Sequence, residues 1–180
     1  MKKSLIAAIV LAGASFGTAV QAQVIGDSPQ ALDLVDDAAA YFGDTFGEGN
    51  SGSTFADRFT FTIDSTVGIN LDAIVGSASR AADAGLDITG LSLYDGNDTL
   101  LSQGTAIQSG AVDVWTVAGG NLSPGDYYLR VNGNIVSNDA SAFGGAVMLM
   151  PVPEPETYGM MLGGLGILGY LARRRQAKRG

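Results

Sequence analysis

The chain contains no cysteine and no histidine. Without cysteine there is no disulfide framework and no thiol nucleophile. Without histidine a serine lacks its usual base, and together the two absences exclude Cys/His zinc and haem sites. Cations are scarce where a domain would need them. Seven of the ten basic residues sit at the ends (Lys2, Lys3, Arg173, Arg174, Arg175, Lys178 and Arg179), leaving only Arg58, Arg80 and Arg130 in between. Residues 23–150 carry sixteen acids against those three bases, 3 − 16 = −13, whereas the whole chain is −8. Phosphate contacts need clustered cations, so nucleic-acid binding is excluded. The middle of the chain also lacks long runs of helical period and long apolar stretches; the latter occur only at the two ends.

At the N-terminus Lys2 and Lys3 precede the apolar run Leu5 to Leu11, and small residues lead to Val20, Gln21 and Ala22. A charged start, an apolar centre and a small-residue end make residues 1–22 a signal peptide cleaved between Ala22 and Gln23. An uncleaved anchor would need a longer apolar run. At the C-terminus the order is a proline-rich segment, 151–157, an apolar glycine-rich segment, 158–172, and a basic end, 173–180. The apolar segment is expected to form a single short transmembrane helix. Arg173, Arg174 and Arg175 then act as the positive-inside stop, placing the tail in the cytoplasm and the domain outside it. Gly164, Gly166 and Gly169 fit G-x-G-x-x-G, but no acidic residue follows and the strand context is missing, so a dinucleotide site is excluded. Gly159 and Gly163 fit the small-xxx-small spacing of helix pairing, which glycine abundance also produces by chance.

Pro153-Glu154-Pro155 before an apolar helix and a terminal arginine cluster, in a chain with a signal peptide, resembles the PEP-CTERM sorting signal of Gram-negative bacteria, also labelled an ice-binding-protein C-terminal domain. The resemblance implies a precursor at the inner membrane with a periplasmic ectodomain. An exosortase, a membrane processing enzyme of exopolysaccharide-producing, biofilm-forming species, then handles it, with Pro153, Glu154 and Pro155 as the recognised positions. Physically, prolines are expected to hold this segment extended and out of the helix.

The intervening segment, 23–150, reads as short strands separated by turns. Phe55 to Ile63 alternates most clearly, with Phe55, Asp57, Phe59, Phe61 and Ile63 on one face. Further strands are expected over 68–75, 86–94, 99–102, 111–118, 127–132 and 146–150. Asp95-Gly96-Asn97-Asp98 reads as a hairpin turn and Ser123 to Asp126 as a Pro-Gly turn. This pattern predicts an all-β chain, an antiparallel β-sandwich of jelly-roll or immunoglobulin-like type. Residues 28–38 read as a helix capped by Ser28, or 38–46 as an edge strand, and the sequence does not decide between them.

Phe55, Asp57 and Phe59 resemble the F-x-D-x-F signature of a PEP-CTERM subfamily. Leu91 to Tyr94, Pro124 to Tyr128 and Phe143 to Gly145 follow in the same order. The Leu93–Gly96 and Pro124–Val131 stretches are also similar to pre-peptidase C-terminal sandwiches. Asp57 breaks the alternation rule, because its parity places a carboxylate on the apolar face. A cap on a neighbouring loop is the expected role, ahead of metal binding or catalysis. Fifteen of the sixteen domain acids are aspartates, most of them in turns, so no catalytic residue, metal site or cofactor is assigned. Asp95 to Asp98 offers oxygen ligands for calcium but lacks the spacing of an EF-hand. Thr60 and Thr62 are too short a series for an ice-binding array. The sequence thus predicts a secreted, non-enzymatic structural or adhesive protein of the cell surface or exopolysaccharide matrix. The alternative is a carbohydrate-binding module using Trp115, Tyr94, Tyr127 or Tyr128, and a hydrolase ranks behind both.

Overall fold

The computed structural model describes residues 23–26, 29–34, 38–152 and 155–177. The expected signal peptide with Ala22, together with Pro153 and Glu154, lies outside the described residues. The strands are β1 (Val24–Ile25), β2 (Gln30–Ala31), β3 (Ala39–Phe46), β4 (Thr54–Ile63), β5 (Ile69–Ala78), β6 (Leu86–Asp95), β7 (Leu100–Gln103), β8 (Thr105–Gln108), β9 (Val112–Leu122), β10 (Gly125–Ile135) and β11 (Ser141–Pro151), followed by helix α1 (Pro155–Ala177). They form two stacked sheets. The first runs β1-β4-β10-β6-β7, with β2 also on β4, and the second runs β3-β11-β5-β9-β8. All pairings are antiparallel except those of β1 and β2, which run parallel to β4.

The core fills the space between the sheets, as strand alternation requires. In β5 the residues Ile69, Leu71, Ala73 and Val75 are buried while their neighbours are exposed. Five phenylalanines interlock across the layers. Phe42 lies 4.9 Å from Phe59, Phe46 4.9 Å from Phe55, and Phe143 stacks at 5.3 Å on Phe55. Phe55 and Phe59 are therefore packing residues, each burying a large apolar surface. The Asp95 to Asp98 turn joins β6 to β7 as a hairpin, whereas the Pro-Gly turn carries the chain from β9 in one sheet to β10 in the other. Of the two readings over 28–46, residues 39–46 form the edge strand β3 on β11, while Ser28 and residues 35–37 of the helix reading lie outside the described residues.

Among the other places where the chain changes sheet is Gly104, between β7 and β8. Its N–H donates to the Leu91 carbonyl at 2.7 Å, and any Cβ there would run into the Leu91 and Thr116 carbonyl oxygens. Only glycine permits that approach.

The transmembrane expectation for 158–172 is corrected. No helix among the described residues is long and apolar enough to cross a membrane. Residues 158–172 are helical, but α1 runs from Pro155 to Ala177 and includes Glu156 in its first turn and the arginines near its end. Five glycines (Gly159, Gly163, Gly164, Gly166 and Gly169) dilute its apolar centre. Pro155 was expected to stay extended and instead opens the helix. That position needs no N–H, and the ring presets the helical φ. Positions 173–175 lie within α1, and the exposed Arg173 and Arg174 stand near its C-terminal end, where cations complement the helix dipole.

Candidate functional site

Two places carry functional chemistry, the C-terminal junction and the outer face of the first sheet. At the junction, β11 ends on Pro151, and Val152 N–H donates to the Gly68 carbonyl at 2.8 Å. The folded domain thus holds the chain to within three residues of the helix. Along α1 the large apolar side chains from Tyr158 to Tyr170 are exposed, so the helix adds nothing to the core. At the other end Gln23, the expected first residue of the mature chain, accepts Thr54 N–H at 3.0 Å.

On the outer face of the first sheet the register sets Arg58 beside Arg130 and Ser92, and Thr60 beside Tyr128 and Tyr94. The Tyr94 and Tyr128 rings stack at 4.9 Å and 3°. The Arg58 guanidinium lies 4.9 Å from the centre of the Tyr128 ring. Arg58 also pairs with Asp98 at 3.1 Å, and the Tyr128 hydroxyl donates to the same Asp98 oxygen at 2.7 Å. Asp98 reaches both by taking a left-handed backbone conformation, φ 62°, at the tip of the hairpin. Beside this cluster a cleft of about 770 Å³ opens between the sheet, residues 29–34 and the 96–98 turn. Asp33, Asp98 and Asp126 line it with Arg58, giving it a net negative lining.

Burial and, next, the hydrogen bond to Asp98 push the Tyr128 hydroxyl from 10.0 up to about 12. A folded value above the unfolded one means that this stabilisation is whole below pH 10.0 and is lost as pH rises towards about 12. An ultraviolet titration is expected to show one tyrosine ionising last. Asp98→Asn, which removes the charged acceptor, is expected to bring it back towards the others. An unchanged curve in that variant would disconnect Tyr128 from Asp98.

The remaining expected site residues fall as follows. Asp95 does not join Asp98 in a shared oxygen cage. Its Oδ1 accepts Thr99 N–H at 2.8 Å and Asn97 N–H at 2.9 Å, and these main-chain bonds, that of Thr99 first, hold its carboxyl below the usual range. No group of three or more acidic residues suited to a metal occurs among the described residues. Trp115 is turned inward, with Nε1–H donating to the Ile88 carbonyl at 2.9 Å. Tyr127 packs on Phe61 and donates to the Ser123 carbonyl at 2.8 Å.

Asp57 is 1% exposed, between the buried Phe55 and Phe59, so the whole F-x-D-x-F row faces the core. Opposite it the parallel pairing breaks. Ile25 pairs with Phe55 and Gln30 with Phe59, so five steps on the N-terminal segment match four on β4. Gly26, at φ 115°, lies directly on the Asp57 carboxylate, where a Cβ would collide with Oδ1.

The sequence reading missed Asp113. It is buried, and its carboxylate accepts Ile88 N–H at 3.0 Å, Gly110 N–H at 3.1 Å and the Ser77 hydroxyl at 3.3 Å. Ile88 belongs to the first sheet and Asp113 to the second, so Asp113 and Trp115 together bind both main-chain groups of Ile88 across the sandwich. Burial and then the nearby Asp113 charge raise the Asp87 carboxyl. The parity of Asp113 in β9, inward beside Val117, was the available signal.

Comparison with known proteins finds the PEP-CTERM protein-sorting motif over residues 151–176. No curated protein matches the chain. Among solved structures, the pre-peptidase C-terminal domain of a collagenase from Bacillus anthracis is similar at 18% identity and a TM-score of 0.36, over 71% of this chain and 94% of that one. The sorting motif marks the chain as an exported protein processed by an exosortase, held at a membrane as a precursor and then released towards the surface.

Proposed function

We propose that this protein is exported by the signal peptide, residues 1–22, and held at the inner membrane as a precursor with residues 23–150 in the periplasm. An exosortase cuts it at Pro153-Glu154-Pro155 and delivers it to the cell surface or exopolysaccharide matrix as a non-enzymatic structural or adhesive component. The observation that carries this reading is the position of the sorting motif. It starts on the last residue of β11, and every clustered core residue lies between Ala40 and Leu149. Cutting beyond Val152 therefore removes an exposed helix and leaves the core whole. The non-enzymatic part rests on chemistry. The domain has no histidine or lysine, and the carboxylates of Asp95, Asp98, Asp113 and Asp126 are all engaged in internal hydrogen bonds.

The carbohydrate-binding alternative keeps less support. Trp115 and Tyr127 are committed inward, and Tyr128 is covered by Tyr94 on one side and Arg58 on the other. What remains to it is the cleft lined by Asp33, Asp98, Asp126 and Arg58. Processing is tested in cells lacking the exosortase, where only the long form is expected to accumulate. A shortened form in those cells would overturn the assignment.

A further inference from the structure

The outer face of the second sheet differs from the rest of this acidic surface. Across it the register aligns Tyr41, Ala146, Ile74 and Thr116 in one row, and Met148 beside Asp72 in the next. On the other side of the first row lies a line of glycines, Gly43, Gly144 and Gly76. Tyr41 is 88% exposed, Met148 54% and Ile74 46%. Asp72 is the one charged side chain pointing outward here among the described residues, in a segment of net charge −13. Nothing in α1 covers the face, since the helix's own apolar side chains are exposed.

We propose that this face binds a second copy of the chain, sheet on sheet, about a two-fold axis along the Tyr41 to Thr116 row. Three observations favour a second copy. Five strands about 4.8 Å apart and eight residues rising about 3.3 Å each give roughly 600 Å² per partner. The total, about 1,200 Å², exceeds the roughly 1,000 Å² a specific interface needs. The charge pattern also fits: two copies of so acidic a domain repel each other through most orientations, and this face is where they meet without opposing acids. The shape agrees as well. The two-fold lays the protruding Met148 and Asp72 row of each copy over the flat glycine row of the other. It also keeps the two Asp72 carboxylates about 13 Å apart along the strands, beyond the roughly 10 Å screening length.

This association is independent of tail processing and is measured on the full chain in mild detergent by analytical ultracentrifugation. The wild type is expected to sediment as a dimer. Ile74→Lys, which puts a charge on the axis, is expected to halve the mass, and Asn132→Lys on the opposite sheet to leave it unchanged. Because the chain has no cysteine, Ile74→Cys supplies a second readout. It is expected to form a covalent dimer on oxidation, which association through α1 would not produce. A monomeric wild type, a dimer that survives Ile74→Lys, or an Ile74→Cys chain that stays uncrosslinked would each overturn the proposal.

Discussion

Asp113→Ala is expected to lower stability by about 4 kcal/mol, a large part of the 5–15 kcal/mol that holds a domain of this kind together. The side chain is 2% exposed and accepts from Ile88 N–H, Gly110 N–H and the Ser77 hydroxyl. Alanine leaves those donors in the interior without acceptors, at about 1–3 kcal/mol for each that water cannot reach. It also cuts one of the two links that Ile88 makes to the opposite sheet, leaving only the Trp115 bond. Asp113→Asn keeps one carbonyl oxygen and is expected to lose about half as much. Urea unfolding followed by tryptophan fluorescence measures both variants. Equal losses, or a loss under about 1 kcal/mol for alanine, would show that the three bonds do not hold the sheets together.

Replacing Pro153, Glu154 and Pro155 together by alanine is expected to abolish processing while leaving the domain folded. The core ends at Leu149, and alanine at the first helical position is compatible with α1. The variant is therefore expected to show the wild-type unfolding transition and to remain entirely as the long, membrane-associated form. A shortened product of normal abundance would mean that the enzyme does not read these positions.

Much of the sandwich was legible because strand alternation is written residue by residue. The row from Phe55 to Ile63 identified β4, and the Asp95 to Asp98 turn fixed the β6–β7 hairpin. What escaped depends on contacts distant in sequence. β1 and β2 are two residues each and exist only because β4 offers an edge, while β8 is exposed at every position and carries no alternation to read. The outer-face cluster was illegible for the same reason. Arg58, Tyr94, Asp98 and Tyr128 meet only once the register of β4, β10 and β6 is known. Asp57 stood out by breaking a rule, whereas Asp113 broke the same rule in β9 and was passed over. The C-terminal helix was visible, but its start was misplaced because a proline was read as a barrier rather than as a first residue.

The account's central claim, that a folded domain is exported and then separated from its sorting tail, is tested most directly by mass spectrometry of both termini of the protein recovered outside the cell. The expected product begins at Gln23 and ends within or next to Pro153-Glu154-Pro155. Recovery of extracellular chains that still carry Arg173 to Gly180 would contradict it.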